Sequence, residues 1–272
     1  MAKLVLCRII ADGGIALYVL KSKCIQYILI SLFIVGTASI VANAEAAAFD
    51  HTELIKESVV YAKVLVDTPA FNDWANGRKQ IGEFAKGEVV EVIRDRSFEW
   101  YLVSSEDSTQ GWISVASLDI PSDPETNTER LPDELVETYV NKLEINSKTD
   151  HLVWVDIDRQ LTHVFTGRQG EWKLTRTMPC STGKNVSPTL RGVHEVAERG
   201  EWFFAERFGR GGENWVQFSG PYMFHSLPMD RQGNILDYTL LERRSSGCIR
   251  LSMEDSRWFY SFIKRRTTVF VQ

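Results

Sequence analysis

From about residue 58 onward the apolar side chains come in short alternating runs cut by turn residues, and almost nowhere at the spacing of a helix. That pattern confines the chain to a mainly β architecture, because a period of two buries one face of a strand whereas a helix needs apolar residues a turn apart. The first runs are Ala62-Lys63-Val64-Leu65-Val66, Gln80-Ile81-Gly82-Glu83-Phe84, Gly87-Glu88-Val89-Val90-Glu91-Val92-Ile93, Trp100-Tyr101-Leu102-Val103 and Gly111-Trp112-Ile113. Their close, regular spacing predicts a small all-β barrel or sandwich over residues 58–120. Trp100 and Trp112 are read as core packing in preference to a peptide-binding shelf.

Residues 121–149 read as linker and helix. The stretch PSDPETNTER, 121–130, has linker composition. Leu135, Val136, Tyr139, Val140 and Leu143 then recur at helical spacing with Pro132 in the first turn, which predicts one amphipathic helix docked on the next domain. From residue 150 the strands return: 151–157 and 161–165 as a hairpin about Asp158-Arg159-Gln160, then 172–178, with a helix over 253–263 and a last strand over 267–271. Residues 150–272 are therefore a second, mainly β domain with few helices. Gly209-Arg210-Gly211-Gly212 lacks the strand-to-helix context of a phosphate loop and is read as a flexible turn.

The amino terminus points outside the cytoplasm. Residues 25–42 carry no charge, Lys21 and Lys23 precede them, and Ala42-Asn43-Ala44 follows. A basic flank, an apolar segment and small residues before a cleavage point make residues 1–44 a signal peptide, longer than usual, or else an uncleaved membrane anchor. The expected location is the cell wall or periplasm, or the outer face of the cytoplasmic membrane. A net charge of −5 argues against nucleic-acid binding, which needs a basic face to displace counterions from phosphates. The charge is uneven: residues 25–150 hold 10 basic and 22 acidic side chains, residues 151–272 hold 17 and 13. Beyond the leader only Cys180 and Cys248 remain. A bridge between them suits an oxidising space, and a free thiol kept for chemistry is the alternative that the surroundings of Cys248 favour.

The chemistry concentrates in Phe224-His225-Ser226 and Ser245-Ser246-Gly247-Cys248-Ile249-Arg250-Leu251. A thiol becomes a good nucleophile when an imidazole takes its proton, and His225 is the candidate base. Gly247 permits close backbone approach, so the amides of Gly247 and Cys248 are expected to face a developing oxyanion. Arg250, two residues past the thiol on an extended strand, points to the same side and adds positive potential. Cys180, His163 and His194 read as structural, and a zinc site from His194, His225, Cys180 and Cys248 lacks any close ligand pair. No cofactor is called for.

His, a variable stretch, then Ser-x-Gly-Cys-Ile-Arg resembles the L,D-transpeptidase catalytic domain of bacterial cell-wall enzymes. The likeness runs from about 150 to 272. It is supported by Val155-Asp156, Gln160, Cys180-Ser181-Thr182-Gly183-Lys184, Pro188-Thr189 with Gly192, and Pro228, Asp230 and Gly233 after His225. Residues 58–120, through Phe84, Gly87, Val90, Trp100 and Gly111-Trp112-Ile113, resemble the bacterial Src-homology-3-like domain. The resemblance implies a β-sandwich-type catalytic domain acting on peptidoglycan stem peptides, with Cys248 as nucleophile, His225 as base, Ser226 shaping the site, and Gly247 and Arg250 in the pocket. A monomer is expected. Two departures stand out: Ser246 occupies the place of a second His common in the family, and 22 residues separate His225 from Cys248, which reads as a longer flap. The competing readings are an L,D-carboxypeptidase on the same substrate, a papain-like endopeptidase, and a non-catalytic wall-binding protein. Every His precedes Cys248, the reverse of the papain-like order.

Overall fold

The computed structural model describes the backbone of residues 5–11 and 14–20 and all of residues 54–272. The uncharged stretch 25–42, with its leader or anchor reading, lies outside the described residues. The chain divides into two compact units, residues 1–50 and 51–272. In the first, β1 (Val5–Ala11) and β2 (Gly14–Leu20) pair as an antiparallel hairpin. No helix among the described residues is long and apolar enough to cross a membrane.

The second unit holds two sheets. The smaller is a seven-stranded antiparallel module of β3 (Tyr61–Val64), β4 (Thr68–Phe71), β5 (Gln80–Phe84), β6 (Val89–Arg96), β7 (Trp100–Ser104), β8 (Gln110–Ser114) and β9 (Leu118–Asp119), in the order β5-β4-β8-β7-β6-β3-β9. Alternation works here as the sequence suggests: Ala62, Val64, Val90, Val92, Tyr101, Val103 and Ile113 all point into one core. The two tryptophans part company. Trp112 is buried, with the Arg94 guanidinium 5.2 Å from its ring, whereas Trp100 is half-buried beneath Arg78, 4.2 Å away.

The larger sheet has nine strands: β10 (His151–Asp156), β11 (Leu161–Thr166), β12 (Lys173–Ser181), β13 (Gly192–Glu195), β14 (Arg199–Ala205), β15 (Arg210–Ser219), β16 (Tyr222–His225), β17 (Ile249–Leu251) and β18 (Thr268–Val271). Their order is β13-β18-β10-β11-β12-β17-β16-β15-β14. Strand β12 joins the two halves: its first part pairs with β11, and Cys180 and Ser181 pair with Leu251 and Arg250 of β17. The halves face each other across one core, with Val153, Val155, Val164 and Val269 from one and Val216, Phe224, Ile249 and Leu251 from the other. The result is a mainly β, sandwich-type fold with two helices, α1 (Asp133–Lys142) and α2 (Met253–Phe262), among the described residues.

Strand β10 is buried on both faces. Its Val153 and Val155 enter the sandwich core, while Leu152 and Trp154 lie under α1 against Val136, Tyr139 and Val140. Each such side chain contributes roughly 1.5–3 kcal/mol by leaving water, so α1 is bound by its apolar stripe. Asp133 and Glu134 in its first turn suit the positive end of the helix dipole. At the other end of the domain Ser252 caps α2 by accepting from the Asp255 amide at 2.9 Å, and Phe259 and Ile263 fill the core.

Strands β13 to β15 depart from the expectation. Residues 209–212, read as a turn, contribute Gly209 as the left-handed residue closing a short 3-10 turn and Arg210 to Gly212 as the start of β15. This hairpin edge is half-exposed along much of its length, so no clean alternation marked it.

Candidate active site

The parallel pairing of β16 with β17 builds the site. Its register sets Phe224 beside Ile249 and His225 beside Arg250, and Cys248 is the residue leading into β17. Two motifs far apart in the chain thus meet at adjacent strand ends. Cys248, His225, Arg250, Ser245 and Ser246 line one cavity of about 260 Å3, walled by Phe203, Phe208 and Met223.

His225 is held in one tautomer. Its Nδ1 lies 2.7 Å from the Ser226 carbonyl oxygen, which only accepts, so Nδ1 carries the proton. Nε2 is left without a hydrogen-bond partner among the described residues, on a ring that lines the cavity. Ser226 itself is fixed to β15: its amide donates to the Glu213 carbonyl at 3.0 Å and its Oγ accepts from the Glu213 amide at 2.9 Å. Phe203 meets the imidazole edge-on with ring centroids 5.1 Å apart. A Cβ placed on Gly212 would stand 3.0 Å from Nδ1, so this strand glycine exists to let the backbone pass close to the imidazole.

Burial pulls the His225 pKa down to about 4, the Ser226 carbonyl opposing and the Arg250 charge assisting. Burial also pushes the Cys248 thiol up, against a hydrogen bond from the Met223 amide and the charge of Arg250. The resting pair at neutral pH is therefore an uncharged thiol and an uncharged imidazole, not an ion pair. Cys248 is half-buried, with Sγ 3.7 Å from the Pro221 carbonyl. Arg250 is buried and anchored to Asp237 of the flap at 3.1 Å, and Arg244 approaches the same carboxylate at 3.6 Å. Asp237 was not among the sequence candidates. The flap, residues 230–245, opens on a turn in which Asp230 accepts from the amides of Gln232 and Asn234, and it leaves Leu236 and Tyr238 exposed.

The loop before the thiol is fixed from beneath. Gly247 has φ +99°, and a Cβ there would come within 2.5 Å of the Tyr222 ring, so only glycine fits. The Gly247 amide, expected to face a reacting carbonyl, donates instead to Ser245 Oγ at 3.1 Å. The Gly247 carbonyl accepts from Thr189 Oγ1 at 2.9 Å. A trans peptide points its C=O and N–H in opposite directions, so this bond turns the Cys248 amide away from Thr189. Further back, Gln160 accepts from the Thr182 amide at 2.8 Å, and the Thr182 carbonyl accepts from the amides of Arg244 and Ser245.

The other chemical side chains lie elsewhere. Cys180 and Cys248 are both free thiols, and burial raises the Cys180 pKa to about 12. His163 stacks on Trp154 at 4.8 Å, and His194 is held by the Leu190 and Arg191 carbonyls. Arg243 is half-buried and donates to Asn185 at 2.8 Å.

A half-buried thiol, a neutral imidazole with a free ring nitrogen and a guanidinium on one cavity are suited to nucleophilic acyl chemistry. Residues 150–271 match the family model of YkuD, the L,D-transpeptidase catalytic domain. The chain is 33% identical over 130 residues to YciB of Bacillus subtilis (strain 168), whose name assigns it to the L,D-transpeptidases. That match takes in 44% of this chain and 65% of the relative's length. Among solved structures it is similar to a fused Zn-dependent amidase/peptidase/peptidoglycan-binding domain-containing protein from Clostridium acetobutylicum, at 26% identity and a TM-score of 0.45 over 54% of this chain and 66% of that one. An L,D-transpeptidase from Mycobacterium smegmatis matches at 16% identity and a TM-score of 0.37, covering 75% and 77% of the two chains. Over residues 150–271 the two sequence matches make this part of the chain similar to the L,D-transpeptidase catalytic domain.

Proposed function

We propose that this protein is a cysteine-dependent L,D-transpeptidase of the cell wall, with Cys248 as nucleophile and His225 as general base. The observation that carries the reading is the His225 tautomer: Nδ1 is committed to the Ser226 carbonyl, so Nε2 is an unprotonated base on the wall shared with the thiol. Nε2 takes the Cys248 proton as sulfur attacks the amide carbonyl joining the third residue of a stem tetrapeptide to its terminal D-alanine. The tetrahedral oxyanion faces the Cys248 amide and the positive potential of Arg250. The imidazolium then passes its proton to the leaving nitrogen, D-alanine departs, and a thioester remains on Cys248. An amine of a second stem attacks that thioester, His225 takes the amine proton and returns it to sulfur, and a cross-link has formed. Water in place of the amine gives L,D-carboxypeptidase activity.

Gly247 and Ser226 serve in this reading by holding the thiol loop and the imidazole, not by touching substrate. Residues 1–44 act as export leader or anchor, and residues 58–120 as a Src-homology-3-like companion domain.

Two measurements test the proposal. Incubation with a carbapenem should add one adduct to the intact mass of the wild type and none to Cys248→Ala; an unmodified wild type would favour a wall-binding protein without activity. Digestion of defined disaccharide tetrapeptides should yield dimers lacking one D-alanine, while shortened monomers alone would assign the carboxypeptidase.

A further inference from the structure

The loop that carries Thr189 is gripped from outside the catalytic sheet. Val186 accepts from the Tyr101 hydroxyl of β7 at 2.7 Å, and Ser187 Oγ donates to Asp95 of β6 at 2.5 Å. The linker adds Asp123, which accepts from the Asn185 amide at 2.6 Å. Past Thr189, Arg191 pairs with Glu91 of β6 at 3.0 Å. Tyr101 and Ser187 are buried, so the two donating hydroxyls are largely shielded from water.

Packing alone does not hold the loop. A cavity of about 250 Å3 separates Pro188 and Thr189 from Val60, Val92, Ile93 and Ser104 of the module. Packing beneath this part of the loop is therefore incomplete, and the hydrogen bonds above supplement it. Thr189 itself is buried, accepts from the Gly183 amide at 2.9 Å and donates to the Gly247 carbonyl at 2.9 Å. A continuous path therefore runs from Asp95 and Tyr101, through Ser187 and Val186, to Thr189 and the peptide plane that aims the Cys248 amide.

We infer that Thr189 is a positioning residue for the Cys248 amide, and that the N-terminal module, through Tyr101 and Asp95, holds Thr189 in register. The inference rests on Cys248 being the nucleophile. The module thereby acquires an intramolecular role, because it sets the direction of the donor that meets the oxyanion without touching substrate. A neighbouring sheet is a rigid reference for that purpose, whereas the loop alone, with a void beneath it, is not.

The experiment compares two reactions of one sulfur in the full chain. Acylation by a carbapenem develops an oxyanion; alkylation by iodoacetamide does not. Thr189→Val, which keeps the shape and removes the hydroxyl, should slow the first-order acylation step by about tenfold to a hundredfold, below the full loss of an oxyanion donor, with alkylation unchanged. Thr189→Ser should restore acylation. Tyr101→Phe and Ser187→Ala, each removing one hydroxyl, should slow acylation several-fold with alkylation and thermal midpoint near the wild type. Acylation of Thr189→Val within twofold of wild type overturns the inference, and so does equal slowing of both reactions, which would mean a displaced thiol or a damaged fold. If the wild type alkylates but forms no acyl adduct, the nucleophile assignment itself fails, and the inference falls with it for that separate reason.

Discussion

Two buried histidines on opposite sides of the larger sheet have the same electrostatic history and different prospects. His163 lies on the face under α1, stacked on Trp154, and burial takes its pKa down to about 3. His225 lies at the far end of the sandwich, and burial takes its pKa down to about 4. A depressed imidazole pKa is therefore no mark of function here. What separates them is the company they keep: Nε2 of His163 is buried with no partner, whereas His225 lines a cavity together with a thiol.

Several measurements would sharpen or break that contrast. The largest effect belongs to His225→Gln, which should lower carbapenem acylation by about 10²–10⁴-fold, while His163→Gln should leave it within a few-fold; equal losses would erase the distinction. Gly247→Ala comes next, since its methyl group meets the Tyr222 ring and its φ suits glycine. It should cost about 1–3 kcal/mol of stability in a denaturant titration and slow acylation as well.

The pH dependence should be smaller but distinctive. With His225 near 4, the acid limb of acylation should fall near pH 4 and not near the ordinary imidazole value of 6.5. The same shifts have a signed effect on stability. Both imidazoles bind protons more weakly when folded, so their contribution is complete above about pH 6.5 and is lost as pH falls toward 4 and 3. Thermal midpoints measured across that range should decline in the wild type and decline less in His163→Gln. The smallest effect is a selective label: iodoacetamide should modify Cys248 and spare Cys180, whose thiol is fully buried, until the protein unfolds.

The sequence made the centre of the site legible for a physical reason. His225 and the Gly247-Cys248 pair sit at the ends of two short strands, so local motif and local structure coincide. Strands β10 and β11 and the terminal helix were legible through their apolar periodicity. The support beneath was not. Thr189 acts through a hydrogen bond to a residue 58 positions away, and no local pattern announces such a partner. Gly211 and Gly212 did carry a signal, glycines where a backbone must approach closely, but beside Gly209 and Arg210 it read as a turn. Asp237 was hidden by the flap's lack of regular structure, and the grip of the module on residues 185–191 depends on surfaces that periodicity does not describe.

Because β12 belongs to both halves of the sandwich, those halves cannot hinge apart without tearing that strand from one neighbour. A reacting molecule must then reach the sulfur from the side, through the open cavity that Ser245 and the outer β14–β15 ribbon help to line. Entry and escape are thereby delegated to the periphery, and the frame that aims the reacting groups stays still while they occur.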